Sequence, residues 1–233
     1  MARKESADMS VMINTDLGIT IEYENWISNK EHLHEVFSEI EAGAYSVDVN
    51  GLDVVDVGAY FGETAVYFSK QGANKVFAYE PFQSGRYIAS NAKTNHCNNI
   101  EWVHAAVHSE TKTISINPKY KNNGASRLHY GAESGTTLPQ MSLDDLTAAH
   151  NINGGILKLD CEGAEGPIIH GASLDTLRQY QTILMEVHTA MADPFQISSK
   201  LEAAGFKVKI KNILKDNRGV ELGREFHVYG YDT

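Results

Sequence analysis

Val54-Val55-Asp56-Val57-Gly58-Ala59-Tyr60-Phe61-Gly62-Glu63-Thr64 has the form of a strand, a glycine turn and the start of a helix. An apolar run closes on Asp56 and Val57, two glycines follow four positions apart, and a helix-forming segment begins at Glu63. Glycine permits a tight strand-to-helix turn and lets a ligand approach the backbone. The helix that follows turns its free N–H groups toward whatever occupies that turn. Asp56 places a carboxylate at the strand end, fit to meet a cation. The dinucleotide fingerprint is ordered differently, as G-x-G-x-x-G with no leading acid. An acid beside glycines suits a cationic nucleoside better than a pyrophosphate.

Working outward, strands and helices alternate. Leu52–Val57 reads as a strand, 63–71 as a helix stopped by Gly72, Lys75–Tyr79 as a strand, Ser84–Asn95 as a helix and Ile100–His104 as a strand. Ile156–Leu159 and Thr182–Val187 are further strands, with helical segments around them. Such alternation predicts a parallel sheet with helices on both faces. Near-continuous apolar runs such as Ile183-Leu184-Met185 fit strands buried on both sides. At the end, Phe206–Lys211 and Phe226–Tyr231 are joined through Asp216-Asn217-Arg218-Gly219 without a helix, which predicts a hairpin and an antiparallel strand.

Before the glycine turn, residues 1–10 are polar and expected to be loose, and Ile19–Tyr23 reads as a strand. Ser28-Asn29-Lys30-Glu31 has the form of a capping box. Leu33, Val36, Phe37 and Ile40 then make one apolar stripe, with Gly43 as the stop. Residues 1–50 are thus an extension with a packing helix, and 51–233 the main domain.

Bulk properties narrow the function. The 233 residues suffice for one large core. Thirty acidic against 20 basic residues give a net charge of −10, which opposes broad contact with phosphate backbones, so no nucleic-acid partner is expected. Cys97 and Cys161 form no disulfide or metal pattern. No apolar leader and no apolar run of about 20 residues is present. A cytoplasmic protein without a membrane partner is the expectation.

The second strand ends Tyr79-Glu80-Pro81-Phe82, about 20 residues beyond the glycines, where nucleotide-binding α/β folds hold a ribose diol with an acid. A carboxylate accepts hydrogen bonds from two adjacent hydroxyls at once, and Phe82 offers a face to an adenine. After the third strand come Ala105 and Ala106, so backbone groups would read the base. His104 fits an ordinary strand-end histidine. The fourth strand runs Ile156-Leu157-Lys158-Leu159-Asp160-Cys161-Glu162-Gly163-Ala164-Glu165. Asp160 and Glu162 bracket a turn at the carboxyl edge of the sheet, where ligands bind, and Glu165 fits a helix-start charge. Glu186 and His188 close the fifth strand on one face. Four titratable groups at neighbouring strand ends form the kind of cluster whose pKa values are tuned for chemistry.

These segments, DVGAYFGETA, AYEP, ILKLDCEGAE with PIIHGA, and ILMEVH, resemble in their order the FkbM-type S-adenosylmethionine-dependent methyltransferases. Gly124-Ala125-Ser126 and Met141-Ser142-Leu143-Asp144-Asp145-Leu146 resemble further landmarks of that family. The resemblance spans roughly Leu52 to Tyr229 and is strongest over KLDCEGAE. Cys161 departs from it, standing where relatives carry a small β-branched residue. It implies a Rossmann-like class I methyltransferase fold, a mostly parallel seven-stranded sheet with a C-terminal antiparallel hairpin strand. It further implies a donor site for S-adenosyl-L-methionine built from Asp56, Gly58, Ala59, Tyr60, Gly62, Glu80, Pro81, Phe82, Ala105 and Asp160. Within that site Asp56, Gly58 and Gly62 would line the methionine and ribose part, Glu80 the ribose, and Asp160 the transfer point. The family mostly methylates hydroxyls of sugars or secondary metabolites, so a small-molecule or glycan acceptor is implied.

A sulfonium already activates its methyl group, so alignment comes first, supplying up to about 7–11 kcal/mol. A neutral hydroxyl also gains from a base, worth roughly 10²–10⁴-fold. Asp160, Glu162, Glu186 and His188 are the candidates, with Glu162 or His188 preferred and Asp160 as orienter. No metal-ligand spacing occurs, so transfer without a metal is expected. Asn117–Pro139 is long and polar, the form of a lid or surface loop. Three rival readings are an NAD-dependent oxidoreductase, opposed by the missing third glycine and the terminal hairpin, a non-catalytic nucleoside-binding scaffold, and an RNA methyltransferase, opposed by the net charge.

Overall fold

The structure is a computed structural model and describes residues 9–25, 27–116, 136–189, 191–212 and 225–231. Five parallel strands form the centre of the main sheet. They are β3 (Asp53–Val57), β4 (Lys75–Tyr79), β5 (Ile100–Val103), β9 (Gly155–Leu159) and β10 (Tyr180–His188). In register, Val57 lies beside both Tyr79 and Leu159, Tyr79 beside Val103, and Leu159 beside Met185. The carboxyl ends of all five therefore meet along one edge. β12 (Glu225–Tyr231) pairs antiparallel with β10 on one side and with β11 (Lys207–Asn212) on the other, giving the order β11-β12-β10-β9-β3-β4-β5. The turn expected at Asp216–Gly219 lies outside the described residues.

Alternation along each strand sorts the core into two layers. Val54, Ala78, Ile156 and Leu184 face a layer with Leu33, Phe68 and Ile88. These come from α1 (Ile27–Glu41), α2 (Glu63–Lys70) and α3 (Ile88–Thr94). Val55, Phe77, Leu157 and Ile183 face the other layer, with Leu146, Ile168, Leu177 and Ile197. That layer belongs to α4 (Leu143–Ala149), α5 (Glu165–Gly171), α6 (Leu174–Leu177) and α7 (Pro194–Ala204). A period of two with apolar residues on both faces is what a doubly covered sheet requires.

Several local expectations are corrected. Of residues 1–10, expected to be loose, Met9 and Ser10 are not, since β1 (Met9–Asn14) forms an antiparallel pair with β2 (Ile19–Glu24), and residues 1–8 lie outside the described residues. Ser28 does not precede a helix, because α1 already begins at Ile27 and Asn29 turns its amide to the Glu24 carbonyl at 2.9 Å. The helix expected over 84–95 is split into a 3₁₀ turn, Gln83–Tyr87, and α3. Gly85 sits there against the Trp102 indole, where an added Cβ would lie 2.4 Å from Nε1. The long polar segment is shorter than read, since Thr136–Pro139 begins β8 (Thr136–Ser142). β8 pairs with β6 (Ala106–His108) and β7 (Lys112–Ile116) in a small sheet beside the edge of the main one. Residues 117–135, including Gly124-Ala125-Ser126, lie outside the described residues.

The extension is packed into the main core. Ile19, Ile21, Leu33, Val36, Phe37 and Ile40 belong to the same apolar layer as Val54 and Phe68. Asn95 and Asn91 bind the backbone of β2 at Thr20 and Glu22. Among the described residues no helix is long and apolar enough to cross a membrane.

Candidate active site

A cavity of about 660 Å³, open mouth included, lies at the shared carboxyl edge of the strands. Its size suits a small organic ligand. Of the residues singled out from sequence, Gly58, Tyr60, Glu80, Pro81, Phe82, Ala105, Asp160 and Glu162 line it. Asp56, Ala59, Gly62, Glu186 and His188 do not. Ala106, read from sequence with Ala105, lines it as well, and so do His32, Val57, Tyr79, Ser84, Val107, Cys161 and Ala164, to which the sequence assigned no role in the pocket.

Asp56 meets a cation, but a protein one. It is fully buried, its Oδ1 lies 3.1 Å from the Lys158 Nζ, and its Oδ2 accepts from the Thr64 hydroxyl at 2.7 Å. Lys158 also donates to the Gly58 carbonyl at 3.0 Å and lies 3.8 Å from Asp160. Burial opposes its charge, but the carboxylates of Asp56 and Asp160 hold the ammonium form. This pair ties the glycine turn to the end of β9 from behind the cavity. A lone charged residue inside ILKLD was the signal for such a partner.

The glycines also serve packing. At Gly58, with φ +80°, an added Cβ would lie 1.8 Å from the Asp160 carbonyl oxygen. Gly62, with φ +91°, faces Ile88 and leads into α2.

Glu80 stands buried in the cavity wall. Its Oε2 accepts from the Tyr60 N–H at 3.1 Å and its Oε1 from the Phe82 N–H at 2.8 Å. Each oxygen has a further acceptor site, so the carboxylate can still take two adjacent hydroxyls. Burial, outweighing these two bonds, pushes its pKa up to about 7. The Trp102 indole fixes the Glu80 carbonyl at 3.2 Å, and Gly85 is the residue that leaves room for the ring. Phe82, Ala105, Ala106 and Val107 supply the apolar wall alongside. A buried diol acceptor next to an apolar slot fits an adenosine.

Beyond Asp160 the chain bends sharply. Glu162 has φ +61°, a left-handed backbone that costs a residue with a Cβ roughly 1–2 kcal/mol. Its Oε2 lies 3.4 Å from the Nε2 of His188, whose Nδ1 lies 3.2 Å from the Oε1 of Glu165. That same Glu165 oxygen accepts from the Cys161 and Gly163 N–H groups at 2.9 and 3.2 Å. Glu165 is therefore more than a helix-start charge: it shapes the turn and holds the imidazole. Burial disfavours charge on His188, but Glu165, Asp160 and Glu162 outweigh it and raise its pKa to about 9. Glu162 is pushed up to about 7 by burial and by Asp160 and Glu165, against the pull of His188. At neutral pH His188 is an imidazolium and has no lone pair for a proton. Of the two bases expected from sequence, Glu162 lines the cavity and His188 stands behind it. Glu186 lies on β10 away from the cavity lining.

His32 of α1 reaches the cavity from the extension. Its Nε2 lies 3.2 Å from the buried Glu63, and its ring meets the Tyr60 ring edge-on at 4.5 Å. The sequence carried no signal for it, since His32 lies off the apolar stripe of its helix. Among the described residues no three His, Cys, Asp or Glu side chains are arranged to hold a metal ion.

The description "Methyltransferase FkbM domain" matches residues 56–208. No protein of curated function matches by sequence. Among solved structures, TYW2 of M. jannaschii, in complex with AdoMet, is 14% identical with a TM-score of 0.51, over 99% of this chain and 86% of that one. A protein assigned as a SAM-dependent methyltransferase from Streptococcus mutans is 11% identical with a TM-score of 0.54, over 99% of this chain and 57% of that one. SMU.776, assigned as a methyltransferase and complexed with SAH, is 12% identical with a TM-score of 0.55, over 99% of this chain and 58% of that one. The chain thus spans less than two thirds of the last two. At these identities the likeness is one of fold.

Proposed function

This chain belongs to the FkbM methyltransferase family, and from that premise we propose that it moves the methyl group of S-adenosyl-L-methionine to a hydroxyl of a small-molecule or glycan acceptor. When bound, the donor supplies a methyl group already activated by its sulfonium. Glu80 holds the ribose diol through the acceptor sites its backbone donors leave open, and Phe82 with Ala105–Val107 encloses the base. Asp160 places a carboxylate near the positive centres of the donor.

Glu162 carries the reading. A carboxyl group with a pKa near 7, in the cavity wall and backed by a charged histidine, can accept a hydroxyl proton at neutral pH. General bases work best when their pKa lies near the working pH. His188 orients the carboxylate, and Glu165 orients His188. An already nucleophilic acceptor would need no such group, which is why a hydroxyl fits this site.

A panel of hydroxylated acceptors with isotopically labelled donor tests the proposal. Glu162→Gln should lower kcat by roughly 10²–10⁴-fold on any acceptor that works. Affinity for S-adenosylhomocysteine should stay within a few-fold, because a base acts in the transition state. Full turnover by Glu162→Gln would show that alignment alone drives transfer.

A further inference from the structure

We propose that His32, carried into the cavity by α1, binds the carboxylate of the donor's methionine arm; the proposal rests on the reading of this cavity as the S-adenosylmethionine site. The acidic side chains lining the cavity are Glu80, Asp160 and Glu162, and His32 is the one basic side chain among the described lining residues. Lys158 lies behind the wall, engaged by Asp56 and the Gly58 carbonyl. The donor carries positive charge on its sulfonium and its amino group, and negative charge only on its carboxylate. The acidic lining answers the positive centres and the diol. It repels the carboxylate, and a buried anion without a donor or cation is strongly disfavoured.

His32 is built to meet that need. Glu63 is buried, its Oε2 accepts from the Phe61 N–H at 3.1 Å, and its Oε1 lies 3.2 Å from the His32 Nε2. A carboxylate at Nε2 fixes the proton on that nitrogen and stabilises the doubly protonated ring. Burial disfavours that charge, yet Glu63, together with Asp160 and Glu35, outweighs it and the pKa is raised. No hydrogen bond to Nδ1 is present among the described residues, so the second N–H of the imidazolium is available to an oxygen ligand.

Position supports the same assignment. The His32 ring rests edge-on against Tyr60, in the glycine turn, and the Tyr60 N–H holds Glu80. The Tyr60 hydroxyl donates to Asn29 on α1 at 2.6 Å. Asn29 in turn donates to the Glu24 carbonyl. Helix, turn and histidine are thereby fixed as one unit on the side of the cavity that carries the turn. His188 is held between Glu162 and Glu165.

Titration calorimetry of the full chain with two ligands tests this. One is S-adenosylhomocysteine; the other is its decarboxylated analogue, S-adenosyl-3-thiopropylamine, which lacks only the carboxylate. His32→Ala should weaken the first at least tenfold and leave the second within twofold, so that the amine also reports that the site is folded. His32→Gln, which keeps the packing but not the charge, should follow the same pattern. Equal weakening of both ligands, or unchanged binding of S-adenosylhomocysteine, would overturn the role of His32 while leaving the cavity's assignment intact. Failure of the unmodified chain to bind either ligand would overturn both.

Discussion

Glu162 combines a left-handed backbone with a carboxylate that burial drives toward neutrality. Neither is favourable alone, and the surrounding residues keep both. Below about pH 7 Glu162 is protonated and cannot take a proton, so turnover should rise with pH through that value. Above about pH 9 His188 loses its charge and its hold on Glu162, so turnover should fall again. His188→Asn removes an interaction that lowers the Glu162 pKa, and the rising limb should therefore move to higher pH. A kcat–pH profile of both forms checks this; an unmoved limb would detach His188 from the base. Much at this scale was legible. That Asp160, Glu162 and His188 gather at one edge was legible, because acids and histidines collect at the ends of apolar strands. The arrangement behind Glu162 was not, because it depends on Glu165, which pairs with the imidazole across 23 positions of sequence.

At the scale of elements, the joint between the β3 turn and the end of β9 decides whether a site forms. Gly58 was legible as a turn residue, but its reason was not: it leaves room for the Asp160 carbonyl, a contact made by a strand about 100 residues away. Gly58→Ala combines a left-handed φ, worth about 1–2 kcal/mol, with overpacking against backbone, worth about 1–3 kcal/mol. It should lower stability by roughly 3 kcal/mol in a denaturant titration. Lys158→Met leaves Asp56 buried without its partner and should lose about 3–5 kcal/mol. Wild-type stability for either variant would show that the joint is not structural. Asp56 was read as a ligand contact because a strand-end acid looks alike whether its cation is a ligand or a buried lysine on the next strand.

At the scale of the whole molecule, the alternation of apolar strands and helices predicted the central parallel strands in their correct places, since a doubly buried strand leaves a mark in every residue. The small β6–β8–β7 sheet and the β1–β2 pair left weaker marks, because short, partly exposed strands mix polar with apolar residues. The extension escaped for another reason. Its stripe, Leu33 to Ile40, announces packing, and His32, the one residue among its described residues that it delivers to the cavity, carries no pattern. The molecule therefore closes its site with a segment that precedes the family-matched region. The most direct measurement of the central claim is calorimetric titration of the unmodified chain with S-adenosylhomocysteine and, separately, with NAD. S-adenosylhomocysteine should bind at one site per chain, with affinity weakened by about 1.5–3 kcal/mol in Glu80→Ala, and NAD should not bind. Comparable binding of NAD, or an affinity for S-adenosylhomocysteine indifferent to Glu80, would contradict the account.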